Sequence, residues 1–259
     1  MSLHPRETNF VRYYNFYLLS FTYQNCEGHY NRNPFALLDW RAHNQEPSMS
    51  PKEVKIVKKT TRFKNYLQVD EYQLKHTLYE GGFGEVIERE VIDRGHVGAV
   101  LLYDPVLNLF VLTEQFRPAS FVARASPWWD DDFSPWMVEC VAGIIEEGES
   151  PEKLCRRESL EEANCPISNL HLLYKYFSSP GCLTESVFLY CGLVDASNAG
   201  GVYGLKEEGE DIHVFTATPE ETYQMIEDGR IINSMTMLAV QWFQLNGNKL
   251  RNIWLGEGA

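Results

Sequence analysis

The stretch Gly143 to Cys165 reads G-I-I-E-E-G-E-S-P-E-K-L-C-R-R-E-S-L-E-E-A-N-C. Ser150 followed by Pro151 is an N-cap and a first helical residue, so the spacing predicts a helix starting there. It should stop near Asn164, because Asn tolerates the left-handed C-terminal position and Pro166 cannot continue a helix. Glu158 and Glu162 are four residues apart and Glu161 is three from Glu158, so three carboxylates crowd one side. Like charges at that spacing repel, and something must compensate. Hard divalent cations such as magnesium take oxygen ligands from one or two carboxylates together with substrate phosphates. An isolated E-x-x-E-E reads as a solvated acidic helix; the residues around this one argue otherwise.

Those residues resemble the Nudix box, G-x5-E-x7-R-E-U-x-E-E-x-G-U, in which U is aliphatic. Gly143, Glu149, Arg157, Glu158, Glu161 and Glu162 fall in register with it. Ser159 and Cys165 stand where aliphatic residues are usual, and Asn164 replaces the last glycine. Asn is the next-best residue for a left-handed cap, and none of the three changes removes a carboxylate.

The whole chain sets outer bounds. Its 259 residues suit one large or two small domains. With 44% hydrophobic residues and no apolar run long enough to span a bilayer, it reads as an ordinary globular protein with no membrane partner. A net charge of −13 argues against a nonspecific nucleic-acid binder, and requires local cations or metal wherever an anion is bound. The six cysteines show no paired C-x-x-C spacing, which suits a reduced, cytoplasmic protein.

Residues 1–50 are rich in aromatics (Phe10, Tyr13, Tyr14, Phe16, Tyr17) without helical or strand period. They read as an N-terminal extension of unknown role. A translation start mis-set relative to Met49 is the other reading, and the intact mass of the native protein separates the two. Residues 51–95 read as an antiparallel sheet subdomain: alternation from Val54, strands over Tyr66 to Gln73 and Glu85 to Ile92, and a turn at Glu80-Gly81-Gly82. Residues 96–259 form the main domain. Val97 to Tyr103 and Leu109 to Glu114 make a hairpin, Arg117 to Pro135 a loop, and Met137 to Ala142 the strand entering the box. The acidic Asp130 to Asp132 reads as a solvated tip, and Trp128, Trp129 and Trp136 as residues buried against the sheet, with stacking on a base as the other reading. Strands follow at Leu170 to Tyr176, Val187 to Val194 and Ile212 to Thr216, with a long Gly- and Glu-rich loop over Asn198 to Asp211. A helix capped by Thr218 ends at Gly229, and Met235 to Leu245 is an amphipathic helix packing through Leu238, Trp242 and Leu245.

From about Glu53 onward the chain is similar to the bacterial ADP-ribose pyrophosphatase branch of the Nudix hydrolases. Pro180, sixteen residues past Asn164, stands where this branch carries a marker proline. The segments G-L-K-E-E-G-E-D-I-H-V, E-E-T-Y-Q-M-I-E-D-G-R-I-I-N and A-V-Q-W-F-Q-L are also similar. The resemblance implies an α/β/α Nudix sandwich preceded by a small antiparallel sheet exchanged across a homodimer. It implies that Glu158, Glu162, Glu210 and the carbonyl of Ala142 bind Mg2+, with Mn2+ as an alternative ion. Glu208 matches the catalytic base, with Glu207 beside it. Glu161 and Arg157 hold the catalytic neighbours in place, and the two can also pair four residues apart on the helix.

The resemblance further places the substrate against Tyr66, Arg89, Glu90, Arg94, Arg117 and Ile144, with Glu185 contributed by the other subunit. Guanidinium groups suit phosphates, and a phenol ring can stack on a base. The segment S-P-G-C-L-T-E departs from the usual S-P-G-G-T-S-E, which bears on the terminal-sugar contact. The implied activity is Mg-dependent hydrolysis of ADP-ribose to AMP and ribose 5-phosphate. The alternatives are another nucleoside-diphosphate-sugar hydrolase, GDP-mannose first, or a sensor that binds ADP-ribose without cleaving it.

Overall fold

A computed structural model describes residues 52–128 and 132–257. The residue 1–50 extension, Trp129, Asp130 and Asp131 lie outside the described residues.

Alternation produces the first unit. β1 (Val54–Lys64), β2 (Gln68–His76) and β3 (Ile87–Asp93) form an antiparallel three-stranded sheet in the order β1-β2-β3. Gly81 and Gly82, at φ +96° and +74°, make the expected turn before β3, and a bridge between Thr77 and Phe83 closes it. Tyr66 was expected within a strand; it sits instead in the β1–β2 turn, where Asn65 N–H donates to Leu67 C=O at 2.9 Å. β1 is exposed over almost its whole length, apolar Val54, Ile56, Val57 and Phe63 included.

β4 (Val97–Asp104) organises the rest. It is fully buried, and its residues alternate between two cores. Val97, Ala99, Leu101 and Tyr103 pack into one core and Val100 and Leu102 into the other. That is the period-2 pattern of a strand covered on both faces. β4 belongs to an eight-stranded sheet with β5 (Leu109–Phe116), β6 (Trp136–Glu139), β7 (Val141–Ile144), β8 (Asn169–Phe177), β9 (Ser186–Leu193), β10 (Gly201–Tyr203) and β11 (Ile212–Ala217). Its path is β10-β11-β5-β4-β9-β8; β4 and β9 run parallel and the other pairs antiparallel.

One face carries α2 (Pro151–Glu161) through Leu154 and Cys155, with Ala163 just past its end in the same core. The other carries α3 (Pro219–Glu227) and α4 (Ser234–Leu255) through Met225, Ala239, Val240, Phe243 and Leu250. The result is the expected α/β/α sandwich. Gly98 lets α2 approach β4, since a Cβ there would stand 2.5 Å from Leu154 Cδ2. Leu154 is itself fully buried, worth about 1.5–3 kcal/mol.

Four expectations need correcting. The stretch Met137 to Ala142 is two short strands broken at Cys140, because β6 pairs with β5 whereas β7 pairs with β4. The loop after Arg117 contains a short helix, α1 (Pro118–Ala123), with proline in its first turn. Trp128 is 92% exposed and Trp136 53%, so neither is buried against the sheet; Trp136 lies against Phe116 at the open end of β5–β6, ring centroids 5.3 Å apart. Finally, α4 runs ten residues beyond Leu245, which is 82% exposed. Gly247 is buried against the Phe243 ring, which packs on Tyr103 and Phe110, and tertiary packing overrides the weak helix propensity of Asn246-Gly247-Asn248.

Candidate active site

The caps of α2 fix its carboxylates. Ser150 Oγ accepts from Lys153 N–H at 3.3 Å, with Pro151 in the first turn. At the other end Asn164 takes φ +50°, and Cys165 N–H reaches back to Ser159 C=O at 2.9 Å. Ser159 is buried with its hydroxyl satisfied by Arg156 C=O at 3.0 Å, so the missing aliphatic leaves no orphan. Helical spacing then presents Glu158, Glu161 and Glu162 to a cavity of ≈ 520 Å³.

Arg157 binds this side together. Its Nε and Nη2 donate to Glu149 at 3.1 and 3.2 Å, and Nη1 donates to Glu158 at 2.9 Å and to Glu161 at 2.8 Å. The Glu149 contact, above all, pushes the guanidinium further up from its ordinary value. One cation cannot neutralise everything around it. Burial first, and then the Glu161 and Glu210 charges, lift Glu158 to about 7 despite Arg157. Burial, with Glu158 and Glu210, lifts Glu162 to about 8.

Glu162, 3% exposed, accepts from Ala142 N–H at 3.2 Å and from Gln115 Nε2 at 3.5 Å. Gly143, next along β7, leaves the space that Glu158 fills: a Cβ there would fall 1.9 Å from Glu158 Oε1.

The long loop from Asn198 to Asp211 is more structured than expected. It holds β10 and a 3-10 turn, Lys206–Glu208, closed by Gly209 at φ +75°. Gly204 N–H donates to Glu161 C=O at 3.2 Å, tying the loop to the end of α2. Glu210 turns inward, accepting from Leu205 N–H at 2.9 Å, and both Glu208 and Glu210 line the cavity. Glu207 is exposed and does not line it.

The same cavity is lined by two further cations, Arg94 and Arg117. Arg94 Nε lies 3.0 Å from Glu185 Oε2, an ion pair without hydrogen-bond alignment. Glu185, which the resemblance assigns to the other subunit's site, lines the cavity of its own chain. The segment carrying it is stitched to the end of β3, where Ile92 N–H donates to Cys182 C=O at 2.8 Å and Thr184 N–H to Ile92 C=O at 3.0 Å. Thr184 Oγ1 also donates to Asp93 at 2.9 Å.

Arg117 donates to Glu139 from Nε at 2.8 Å, with Nη2 at 2.7 Å from the same oxygen. Tyr66 and Ile144 complete the expected lining. Arg89 and Glu90 do not reach it. They lie exposed on β3, opposite Tyr72 and Glu71, and Arg89 Nη1 donates to Glu88 C=O at 2.7 Å.

Reading the sequence missed Val97, Glu139, Glu146, Leu205 and Met235 in the lining, and Gln115 behind Glu162. Glu139 left a signal: it is the one charge inside the apolar run M-V-E-C-V-A, and a charge there implies a buried partner.

Among the described residues no three carboxylate, thiol or imidazole side chains converge as a finished ligand set. The oxygens of Glu158, Glu162 and Glu210 turn to Arg157, Ala142, Gln115 and Leu205. The donor chemistry nevertheless fits a hard divalent cation: all-oxygen, crowded, and holding protons that a cation would displace.

Residues 94–252 match the NUDIX domain family model. An ADP-ribose pyrophosphatase of Escherichia coli K12 is 37% identical over 202 residues, 78% of this chain and 93% of that protein. The ADP-ribose pyrophosphatase of Haemophilus influenzae is 36% identical over 216 residues, 83% and 97%. A GDP-mannose pyrophosphatase of Pectobacterium atrosepticum is 30% identical over 208 residues, 79% and 98%. With a domain match over most of its length, and with box residues converging on one cavity, the chain belongs to the NUDIX domain family.

Proposed function

We propose that this chain hydrolyses the pyrophosphate bond of ADP-ribose to AMP and ribose 5-phosphate, using Mg2+ with Mn2+ as the alternative ion. The observation that carries the reading is the mixed lining of one cavity. Glu158, Glu161, Glu162, Glu208 and Glu210 share it with the cations Arg94 and Arg117. A pyrophosphate needs that combination, with cations for its oxygens and carboxylates for metal and for a proton. The identity to ADP-ribose pyrophosphatases supports the substrate.

In this reading Glu158, Glu162, Glu210 and the Ala142 carbonyl would hold the metal, which would supply positive charge to the phosphate oxygens. Glu208, on the exposed 3-10 turn, takes the proton of the attacking water as that oxygen bonds to phosphorus and the bridging P–O bond breaks. Arg157 and Glu161 keep the neighbouring carboxylates oriented. Arg117 and Arg94 hold phosphate oxygens, Tyr66 stacks on the adenine, and Ile144 packs beside it. Glu185 accepts from hydroxyls of the terminal ribose.

The unit over 51–95 is exchanged within a homodimer in this reading, and residues 96–259 form the hydrolase domain. A three-stranded sheet with Val54, Ile56, Val57 and Phe63 exposed needs a covering partner. Arg89 and Glu90 then serve the partner's cavity. None of the described helices is long and apolar enough to cross a membrane. The reading includes a cytoplasmic location without membrane or nucleic-acid partners, and the net charge of −13 disfavours nonspecific nucleic-acid binding.

The test is product release from ADP-ribose and GDP-mannose side by side, with magnesium. Preference for ADP-ribose supports the reading. Preference for GDP-mannose, the substrate named for relatives at 30–32% identity, would keep the metal site and replace the sugar contacts. Binding of ADP-ribose without turnover of either would make the chain a sensor.

A further inference from the structure

Arg117 reaches the cavity from the end of β5 on a long, half-exposed side chain, and such a side chain has many rotamers to lose. What restrains it is Glu139. The carboxylate is 8% exposed, and Arg117 Nε and Nη2 both lie against its Oε2, at 2.8 and 2.7 Å. The remaining nitrogen, Nη1, makes no hydrogen bond among the described residues, and Arg117 lines the cavity, so the free edge of the fork is left for a ligand.

Glu139 is itself held by its backbone at the β6–β7 break. Thr113 Oγ1 donates to Glu139 C=O at 3.2 Å. On one side Asn233 Nδ2 donates to Val138 C=O at 2.7 Å, and on the other Cys140 N–H donates to Thr236 Oγ1 at 2.8 Å. Asn233 also accepts from Thr236 N–H at 3.0 Å as the N-cap of α4. A helix terminus thus pins the carboxylate, and the carboxylate pins the arginine.

We propose that Glu139 is a positioning residue which anchors one edge of Arg117 so that the other edge meets the diphosphate of a nucleotide ligand. The proposal rests on the reading of this cavity as a nucleoside-diphosphate site. It makes a prediction opposite in sign to simple electrostatics. A carboxylate in the cavity wall repels a diphosphate, so charge removal alone would tighten binding. Loss of an anchor weakens it.

The measurement is the dissociation constant of ADP with magnesium by calorimetry, together with KM and kcat for ADP-ribose, in E139Q, E139D, R117A and R117A/E139Q. Thermal melts run alongside establish that each variant is folded. E139Q should weaken ADP and raise KM roughly tenfold, the scale of one hydrogen bond to a charged group, with kcat nearly unchanged. E139D keeps the charge but withdraws the anchor, so it should weaken ADP as well. In the R117A background E139Q should have no further effect. Unchanged or tighter ADP binding in E139Q, or an equal effect with and without Arg117, would overturn the proposal, as would a wild-type protein that binds no ADP. A wild type that binds ADP yet leaves ADP-ribose intact would sink the proposed activity alone.

Discussion

The Cα of Gly143 faces the carboxylate of Glu158 so closely that a Cβ on it would stand 1.9 Å from Oε1 and 2.4 Å from the carboxyl carbon. The glycine of the box is therefore a steric requirement of the glutamate fifteen residues later, independent of backbone φ, since Gly143 is not among the positive-φ glycines. Gly143→Ala should displace Glu158 while the fold survives. A displacement near 1 Å at a reacting centre costs about 100-fold in rate. Steady-state kinetics should show that loss in kcat with a melting temperature within a few degrees of wild type. Full activity in the alanine variant would mean that Glu158 does not work from this position.

Glu208→Gln should lower kcat roughly 10²- to 10⁴-fold, the usual scale for a general base, with substrate binding retained. Near-normal turnover would move the role to Glu210, the other loop carboxylate lining the cavity.

Burial lifts Glu158 to about 7 and Glu162 to about 8, whereas the unfolded chain releases these protons near 4.5. Between pH 4.5 and about 8 the metal-free folded state thus binds more protons than the unfolded state, so stability falls as pH rises through that window. A divalent cation replaces those protons and removes the penalty. The rise in melting temperature on adding Mg2+ to chelator-treated protein should accordingly be larger at pH 8 than at pH 5. An equal rise at both values would show that the cation does not engage these two groups.

The Tyr176 hydroxyl is buried and has no hydrogen-bond partner among the described residues, and burial pushes its pKa up to about 12. Removing an unsatisfied polar group takes away a desolvation penalty and leaves packing intact. Tyr176→Phe should be neutral or stabilising by about 1 kcal/mol, a shift of roughly 2–4 °C upward in a chain this size. Calorimetric unfolding that gave a clear drop would mean that the hydroxyl has a partner in solution.

Much of this was legible in the residues, for identifiable reasons. The α2 caps, the cluster of Glu158, Glu161 and Glu162, and the turn glycines at 81 and 82 are local chemistry, written over a few consecutive residues. So was the capping box of Thr218 and Glu221 at the start of α3. What escaped depended on distant partners. The strand break at Cys140 exists because two different strands claim its two sides, and nothing within M-V-E-C-V-A announces a change of neighbour. The length of α4 depends on Gly247 meeting Phe243 inside a core supplied by Tyr103 and Phe110. Leu238, Trp242 and Leu245 share helical spacing, yet Leu245 faces solvent because α4 rotates to bury Thr236, Ala239, Val240 and Phe243. Arg89 and Glu90 illustrate the same limit: their positions match the resemblance, and a single chain leaves them on an open sheet.

β4 and β5 pair only where Leu102 to Asp104 meet Leu109 to Val111. Beyond that they part, and β6 and β7 enter the gap as a hinged wedge, each lying along one side. The mouth that receives the ligand is thus a fork in the sheet. Its gauge is set by backbone ladders on both sides, and the surrounding loops decorate it. Changes in loop length around this fork should alter which sugar is admitted while leaving the separation between Arg117 at the end of one tine and Ala142 on the wedge untouched. A residue added to or removed from 136–144 would change that separation itself, and with it the reach between the Arg117 guanidinium and the carboxylates of α2.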